Sequence, residues 1–173
     1  MSFRGFLKKI EDLGEAIHVW DRVSPNFEVS AVMKFTPNFP VIFFENVDGY
    51  NVRIVGNVCA TRRRICLALE TTPDKLYDVI LEAMKQPKQP RIVDDSPVKE
   101  VVEEPRLSKI PILKHFEGDA GPYITSAIVS ARSPDGRVEN VSVHRLLVLD
   151  DKRLAIRLVP RHLFRLWSIA RES

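Results

Sequence analysis

The fold of this chain is decided by Asn140-Val141-Ser142-Val143-His144-Arg145-Leu146-Leu147-Val148-Leu149. Its many β-branched and apolar residues predict a β-strand. Asn140 and Arg145 interrupt this apolar pattern, and long charged side chains are almost never buried without a partner. The strand therefore either has a face open to solvent or lines a site that binds an anion.

The sequence around this strand predicts an antiparallel meander followed by a helix. Residues 123–132 alternate in polarity, which predicts a strand with Ile124, Ser126, Ile128 and Ser130 on one face. Ser133-Pro134-Asp135-Gly136 is a hairpin turn signal, and Asp150-Asp151 marks a second turn. The other predicted strands are 138–149 and 153–159, and a helix is expected to begin at Pro160.

The first half of the chain predicts a small α/β domain over residues 1–85. Residues 2–13 have the periodicity of an amphipathic helix, with Ser2 as N-cap and Gly14 after its end. Thr72-Pro73-Asp74 is typical of a helix start, and that helix is expected to reach Met84. The remaining predicted elements are strands 16–20, 41–44 and 52–55 and a helix over 27–35.

Residues 86–111 differ from both halves of the chain in composition, because prolines recur there with charged residues clustered between them. The prolines that interrupt regular structure here are Pro87, Pro90, Pro97, Pro105 and Pro111. We interpret this stretch as a linker to a second domain, residues 112–173.

Composition excludes several classes of protein. The chain has 173 residues and a net charge of +3 from 26 basic and 23 acidic residues, a surplus too small to argue for nucleic-acid binding. We interpret the one basic triplet, Arg62-Arg63-Arg64, as a solvated helix start or loop, with a phosphate contact as the alternative. Two cysteines and no recognisable signal peptide indicate a reduced, cytoplasmic protein. No apolar run approaches the roughly 20 residues of a membrane span.

The motifs of the second half resemble those of the UbiD-type decarboxylases, which use prenylated FMN. The motifs are Asp119-Ala120-Gly121-Pro122-Tyr123-Ile124-Thr125, an N-x-S-x-x-R strand over 140–145, Asp150-Asp151-Lys152 and Pro160-Arg161-His162. The match is specific from about residue 118 to 162 and looser over 2–111. The resemblance implies an α/β N-terminal domain followed by the beginning of a split β-barrel, flavin-reductase-like domain. The chain would be incomplete relative to the family.

The resemblance also implies roles for individual residues. Asn140 and His162 would bind a divalent metal, expected to be Mn²⁺, with K⁺ as a candidate companion ion. Arg145 would be the catalytic residue, because its planar fork suits a substrate carboxylate. The cofactor-binding residues would be Val143, His144, Arg145, Arg157, Leu158 and Val159. On a regular strand Asn140 and Arg145 point to opposite faces, so either a bulge or a ligand that wraps the strand edge is required.

The function that follows is part of a non-oxidative decarboxylase. Its substrate would be an α,β-unsaturated or aromatic carboxylic acid, either a hydroxybenzoate-type acid or a phosphorylated isoprenoid precursor such as anhydromevalonate phosphate. The acid–base Glu or Asp of the family is not identifiable here, so a second polypeptide or a missing C-terminal half would supply it. The chain alone would be inactive. The alternative is a non-catalytic flavin- or metal-binding or regulatory subunit.

The end of the meander predicts an association surface. Three strands leave an unpaired edge and an uncovered apolar face, and such surfaces seek partners. We expect Leu146, Val148, Leu163 and Trp167 to be exposed. A homo- or hetero-oligomer is therefore expected.

Overall fold

The computed structural model describes residues 1–89 and 91–172, so Pro90 of the predicted linker and the terminal Ser173 lie outside the described residues. The chain divides into two compact units, one formed by Met1–Val23 and Val32–Glu104, the other by Ser24–Ala31 and the residues from Pro105 onward. The second unit begins at Pro105 and not at the predicted residue 112, and it also includes Ser24–Ala31 from the first half of the chain. The segment Ser24–Ala31 joins the second unit because the Phe27 amide donates to the Lys114 carbonyl at 2.9 Å. That residues 86–111 serve as a linker stays a prediction.

The helices and strands follow the predicted order, with one helix added. In chain order they are α1 (Phe3–Asp12), β1 (Ala16–Val19), α2 (Glu28–Phe35), β2 (Val41–Phe44), β3 (Ile54–Gly56), α3 (Arg62–Ala68), α4 (Leu76–Lys85), β4 (Tyr123–Arg132), β5 (Glu139–Val148), β6 (Leu154–Ile156) and α5 (His162–Glu172). Within the described residues no helix is long and apolar enough to cross a membrane.

The core of the first unit lies between α1 and a small mixed sheet. β1 pairs with β2 in parallel, and β2 pairs with β3 antiparallel. All four residues of β2 are buried, as its continuous apolar run predicts. Phe6 and Ile10 of α1 cluster with Val41 and Phe43 of β2. The predicted N-cap of α1 is confirmed, since the Ser2 hydroxyl accepts from the Gly5 amide at 3.1 Å.

One expectation about the first unit was wrong, and another holds in part. The helix predicted to start at Thr72-Pro73-Asp74 begins only at Leu76, and its N-cap Lys75 makes no side-chain capping bond. The arginine triplet forms the start of α3 behind the N-cap Thr61, with Arg62 and Arg63 exposed as expected, but Arg64 is only 2% exposed. A buried guanidinium requires acceptors, and Arg64 finds them in the backbone carbonyls of Phe39 and Asn57.

The second unit contains the predicted antiparallel meander, in the order β4-β5-β6. The β4–β5 register shifts between Ile124 and Ala127, so β4 contains a bulge. Ile124 lies opposite Leu146, whereas Ile128 lies opposite Val143, which are residues of opposite parity on β5. The predicted single face of β4 is therefore wrong, because the extra residue moves Ile128 to the other side of the sheet.

The exposed apolar surface of this sheet is not the one expected. Leu146, Val148 and Leu163 are half-buried, and of the four predicted residues only Trp167 is exposed. Ile128, Val141 and Val143 are exposed instead, by 75%, 68% and 68%. The α5 helix packs against β4 and β5, and the face that carries Asn140 and His144 is the half-buried one. The apolar surface therefore lies on the opposite face.

This surface gives a testable prediction about association. We expect the chain to self-associate at high concentration through the patch Ile128–Val141–Val143, because contiguous exposed apolar side chains seek burial. The double variant Ile128→Thr, Val141→Thr should lower the average mass measured by multi-angle light scattering. Val138→Thr is a matched control, since Val138 is 53% exposed but precedes β5 and lies outside the patch. A monomeric parent at high concentration would contradict the prediction.

Candidate functional site

One face of β5 carries a row of polar side chains. Asn140, Ser142 and His144 alternate with exposed residues and are themselves half-buried. The Asn140 side-chain amide Nδ2 donates to the Ser142 Oγ at 3.0 Å. The same Oγ lies 2.9 Å from Nε2 of His144. Side chains two residues apart on a strand share a face, which explains why the three residues form one hydrogen-bonded row.

The turn between β5 and β6 is ordered by Asp150. Its Oδ1 accepts from the backbone amides of Lys152 at 3.0 Å and Arg153 at 2.9 Å. The Lys152 amide and then the Arg153 side chain hold the pKa of the Asp150 carboxyl below its usual value. The Leu149 amide donates across this turn to the Arg153 carbonyl at 3.0 Å. After this turn β6 runs antiparallel to β5, and the chain then continues to the start of α5.

This return brings the two predicted metal ligands to one cavity. The cavity has a volume of about 310 Å³ and is lined by Asn140, Val141, Ser142, Val143, His144, Val159, Arg161, His162 and Leu163. His162 is the first residue of α5, whereas the predicted helix start was Pro160. Asn140 and His162 thus line the same cavity, together with three of the predicted cofactor-binding residues, Val143, His144 and Val159. The roles assigned to them stay predictions.

Arg145 lies at a different place. β5 is regular over its length, so Arg145 faces away from Asn140, and the bulge that might have joined them is in β4. A second cavity of about 580 Å³ is lined by Tyr123, Arg145, Leu147, Ala155, Ile156 and Arg157. Two guanidinium groups at one cavity favour a ligand with negative charge. The described chain does not bring Arg145 to the Asn140–His162 cavity.

The other predicted cofactor residues divide between these places. Arg157 shares the second cavity with Arg145, and Val159 lines the first. Leu158, which stands between these two residues in the sequence, is half-buried. Within the described part of the chain it lines neither cavity. A ligand that contacted all of these residues would have to extend past the edge of the sheet.

Sequence reasoning missed Ser142, Tyr123 and Arg161 as site residues. Ser142 had a signal, because it stands midway between Asn140 and His144 at the strand period. Tyr123 and Arg161 stand within the quoted motifs, but the pairing of Tyr123 with Leu147 and the position of the helix start are what bring them to the cavities.

Metal-binding capacity in the described chain is limited. Among residues 1–89 and 91–172 no group of three or more His, Cys, Asp or Glu side chains is placed to hold a metal ion. Asn140 and His162 could therefore provide only part of a coordination shell. A hard divalent cation takes six or more ligands, and the remainder would have to be ligand or water oxygens or groups outside this chain.

Comparison with family models matches nearly the whole chain. The model of the 3-octaprenyl-4-hydroxybenzoate carboxy-lyase (UbiD) N-terminal domain matches residues 7–84. The model of the Rift-related domain of the same enzymes matches residues 91–173. The two matched domains occur in the order that the family has.

Curated relatives with similar sequences include enzymes named as decarboxylases. The anhydromevalonate phosphate decarboxylase of Methanothermobacter thermautotrophicus is 36% identical over 168 residues, covering 93% of this chain and 37% of the relative. The enzyme of that name from Methanosarcina mazei is 36% identical over 175 residues, covering 100% of this chain and 40% of the relative. This chain thus spans about two fifths of the length of these relatives.

Solved structures show the same fold. The evolved dimeric form of the UbiD-class enzyme HmfF from Pelotomaculum thermopropionicum, in complex with prFMN, superposes with a TM-score of 0.92 at 38% identity, covering 99% of this chain and 41% of that one. The closed form of vanillic acid decarboxylase from Sedimentibacter hydroxybenzoicus superposes with a TM-score of 0.81 at 28% identity, covering 94% of this chain and 38% of that one.

Proposed function

Because this chain belongs to the UbiD family of carboxy-lyases, we propose that it forms the flavin- and metal-holding part of a non-oxidative decarboxylase. The observation that carries this proposal is that Asn140 of β5 and His162 of α5 line the same cavity. An amide oxygen and an imidazole at one small cavity are a donor pair suited to a divalent cation. The proposal assigns Asn140 and His162 to the metal.

The donor chemistry of this cavity fits a divalent ion such as Mn²⁺, which Asn140 and His162 would hold and which would attract a ligand phosphate. Carboxamide and phosphate oxygens are hard ligands, and imidazole is accepted by transition metals such as Mn²⁺. Asn140 and His162 would fill only two positions of the coordination shell, and phosphate oxygens of the ligand would suit others. The neighbouring Arg161 would add a cation for the phosphate. K⁺ is kept as a companion ion in the proposal.

The cofactor proposed is prenylated FMN, the ligand of a similar solved structure. When bound, it supplies an electron sink for the electrons left as carbon dioxide departs. Val143, His144, Leu158 and Val159 would contact it near the metal, and Arg157 would contact it at the second cavity, past the edge of the sheet. Arg145 would hold the substrate carboxylate in a fixed orientation through paired hydrogen bonds.

The substrate proposed is an α,β-unsaturated or aromatic carboxylic acid. The relatives named anhydromevalonate phosphate decarboxylase favour a phosphorylated unsaturated acid over a hydroxybenzoate-type acid. Two arginines at the second cavity are compatible with a substrate of high negative charge. Turnover with each acid distinguishes the two classes directly.

The reaction also needs a proton donor, because loss of carbon dioxide leaves a carbon that must be protonated. No Asp or Glu lines either cavity in the described part of the chain. We therefore assign the acid–base carboxylate to the part of the family fold that this chain does not span, whether on a second polypeptide or on the same one. The lack of such a carboxylate at the cavities also supports the alternative, a flavin- and metal-binding subunit without catalysis of its own.

The test is reconstitution. The chain is co-expressed with a flavin prenyltransferase and with the remaining part of the family fold from the same source, then purified by gel filtration. We expect a flavin absorbance spectrum, a bound divalent metal by mass spectrometry and release of carbon dioxide from one of the two acid classes. Flavin and metal without turnover would favour the non-catalytic alternative. A complex that retains neither flavin nor metal would overturn the proposal.

Asn140→Ala gives the sharpest single-residue test of the metal assignment. Removal of the amide oxygen should reduce metal and flavin retention by at least about tenfold, because a lost ligand weakens the ion that holds the phosphate. Activity should fall as a consequence. Asn51→Ala is the matched control, since Asn51 is exposed in a turn of the first unit. Equal metal content in Asn140→Ala and the parent, after gel filtration, would remove Asn140 from the site.

A further inference from the structure

We propose that Ser142 and His144 are positioning residues that fix the side-chain amide of Asn140 with its oxygen turned towards the metal. This inference rests on the proposed function of the Asn140–His162 cavity and adds an outer set of contacts to it. It concerns Ser142, which has no assigned role, and the side chain of His144, for which only contact with the cofactor is proposed.

The geometry that supports the inference is the hydrogen-bonded row on β5. Asn140 Nδ2 donates to Ser142 Oγ at 3.0 Å, and that oxygen lies 2.9 Å from His144 Nε2. All three side chains are half-buried and line the same cavity as His162. The row is therefore at the site, and it is partly shielded from the water that would otherwise compete for these bonds.

The proposed row runs in one direction. A serine hydroxyl can accept two hydrogen bonds and donate one, so Ser142 Oγ can accept from Asn140 and donate its own proton to His144 Nε2. In this arrangement His144 carries its imidazole proton on Nδ1. Asn140 donates through Nδ2 to Ser142, and its oxygen Oδ1 is left as the atom that can bind a cation.

The row matters because an asparagine side chain is nearly symmetric. Rotation of the amide by half a turn would exchange its oxygen for an NH₂ group, which cannot bind a cation. The bond to Ser142 selects the productive orientation, and His144 selects the direction of the serine hydroxyl. Outer contacts of this kind typically change metal affinity by 10–100-fold when removed.

The experiment compares Ser142→Thr with Ser142→Val in the reconstituted protein. Thr and Val have almost the same shape and both favour strands, so they differ chiefly by the hydroxyl. The measured quantity is the dissociation constant for Mn²⁺, from calorimetric titration with MnCl₂ in the presence of FMN. We expect Ser142→Val to bind Mn²⁺ at least about tenfold more weakly than Ser142→Thr.

A second readout does not depend on metal. The ¹⁵N chemical shifts of the His144 ring in the metal-free protein report which nitrogen carries the proton. We expect the Nδ1–H tautomer in the parent and in Ser142→Thr, and loss of that preference in Ser142→Val. A merely structural role of Ser142 would change thermal stability but would not move this tautomer.

The outcomes separate the inference from the function on which it rests. If the parent binds Mn²⁺ and Ser142→Val binds it equally well, the positioning role is overturned while the proposed site stands. If the parent shows the Nε2–H tautomer, the direction of the row is wrong and the inference fails. If neither the parent nor Asn140→Ala binds Mn²⁺ or FMN, the proposed function itself fails, and the inference fails with it.

Discussion

Arg64→Met is expected to destabilise the first unit by about 3 kcal/mol, a large fraction of the stability of a small domain. Arg64 is 2% exposed. Its Nη2 atom donates to the Phe39 carbonyl and, at 3.1 Å, to the Asn57 carbonyl. Burial lowers the pKa of its guanidinium, which nevertheless stays charged at neutral pH. Methionine fills much of the volume but leaves two carbonyl groups without their donor.

The carbonyls that Arg64 binds lie in turns that need support. Phe39 and Asn57 both have positive φ angles, 47° and 58°, a backbone region that side-chain-bearing residues seldom adopt. Glu15, 4.0 Å from Arg64, would also lose part of its compensating charge. Loss of Arg64 should therefore loosen these turns and the sheet between them.

Urea denaturation, with hydrogen exchange of β2 as the local probe, measures this effect. Arg63→Met is the matched control, because Arg63 is the neighbouring residue, also pairs with Glu15 and has a side chain that is 63% exposed. Exposed ion pairs contribute little, so the control should change the free energy of unfolding by less than about 0.5 kcal/mol. Equal effects of the two substitutions would show that burial of Arg64 is not what stabilises the unit.

Arg145→Lys is expected to lower the rate of decarboxylation by at least about tenfold in the reconstituted enzyme. Lysine keeps the positive charge but loses the planar fork that binds a carboxylate through two parallel hydrogen bonds. A lost charge-assisted contact of roughly 1.4 kcal/mol in the transition state corresponds to tenfold in rate. Metal and flavin should still bind, because Arg145 lies on the face of β5 opposite Asn140.

The opposite placement of these residues makes the result easy to interpret. Arg145→Lys should retain flavin and metal through gel filtration and fail in turnover, whereas Asn140→Ala should lose both ligands first. Arg132→Lys is the control, since Arg132 is an exposed arginine of the adjacent strand that pairs with Glu139. A parental rate for Arg145→Lys would make Arg145 an ordinary surface residue.

Local sequence signals predicted most of the secondary structure. The Ser2 cap and apolar spacing of α1, the continuous apolar run of β2 and the turn residues 133–136 each act within a few residues, so the sequence alone contains their cause. The helix start at Thr72-Pro73-Asp74 was misplaced. A favourable local capping sequence did not determine where α4 begins, which shows the limit of propensity without packing.

Long-range contacts decided what local signals could not. Arg64 is buried because its acceptors lie on two other loops, and nothing near the triplet in sequence indicates them. The bulge in β4 is a property of its pairing with β5 and reverses the face of Ile128. Similarly, the segment Ser24–Ala31 belongs to the second unit because of its bonds to residue 114.

The sequence by itself determined the order of the elements other than α3 and, through the motifs of 118–162, the family. It also fixed that Asn140 and Arg145 have opposite parity on a regular strand. Only the tertiary structure decided that Asn140 meets His162 at one cavity while Arg145 meets Arg157 at another. The physical reason is that strand parity is local, whereas a cavity is formed by strand pairing, turn geometry and helix placement, which join residues distant in sequence.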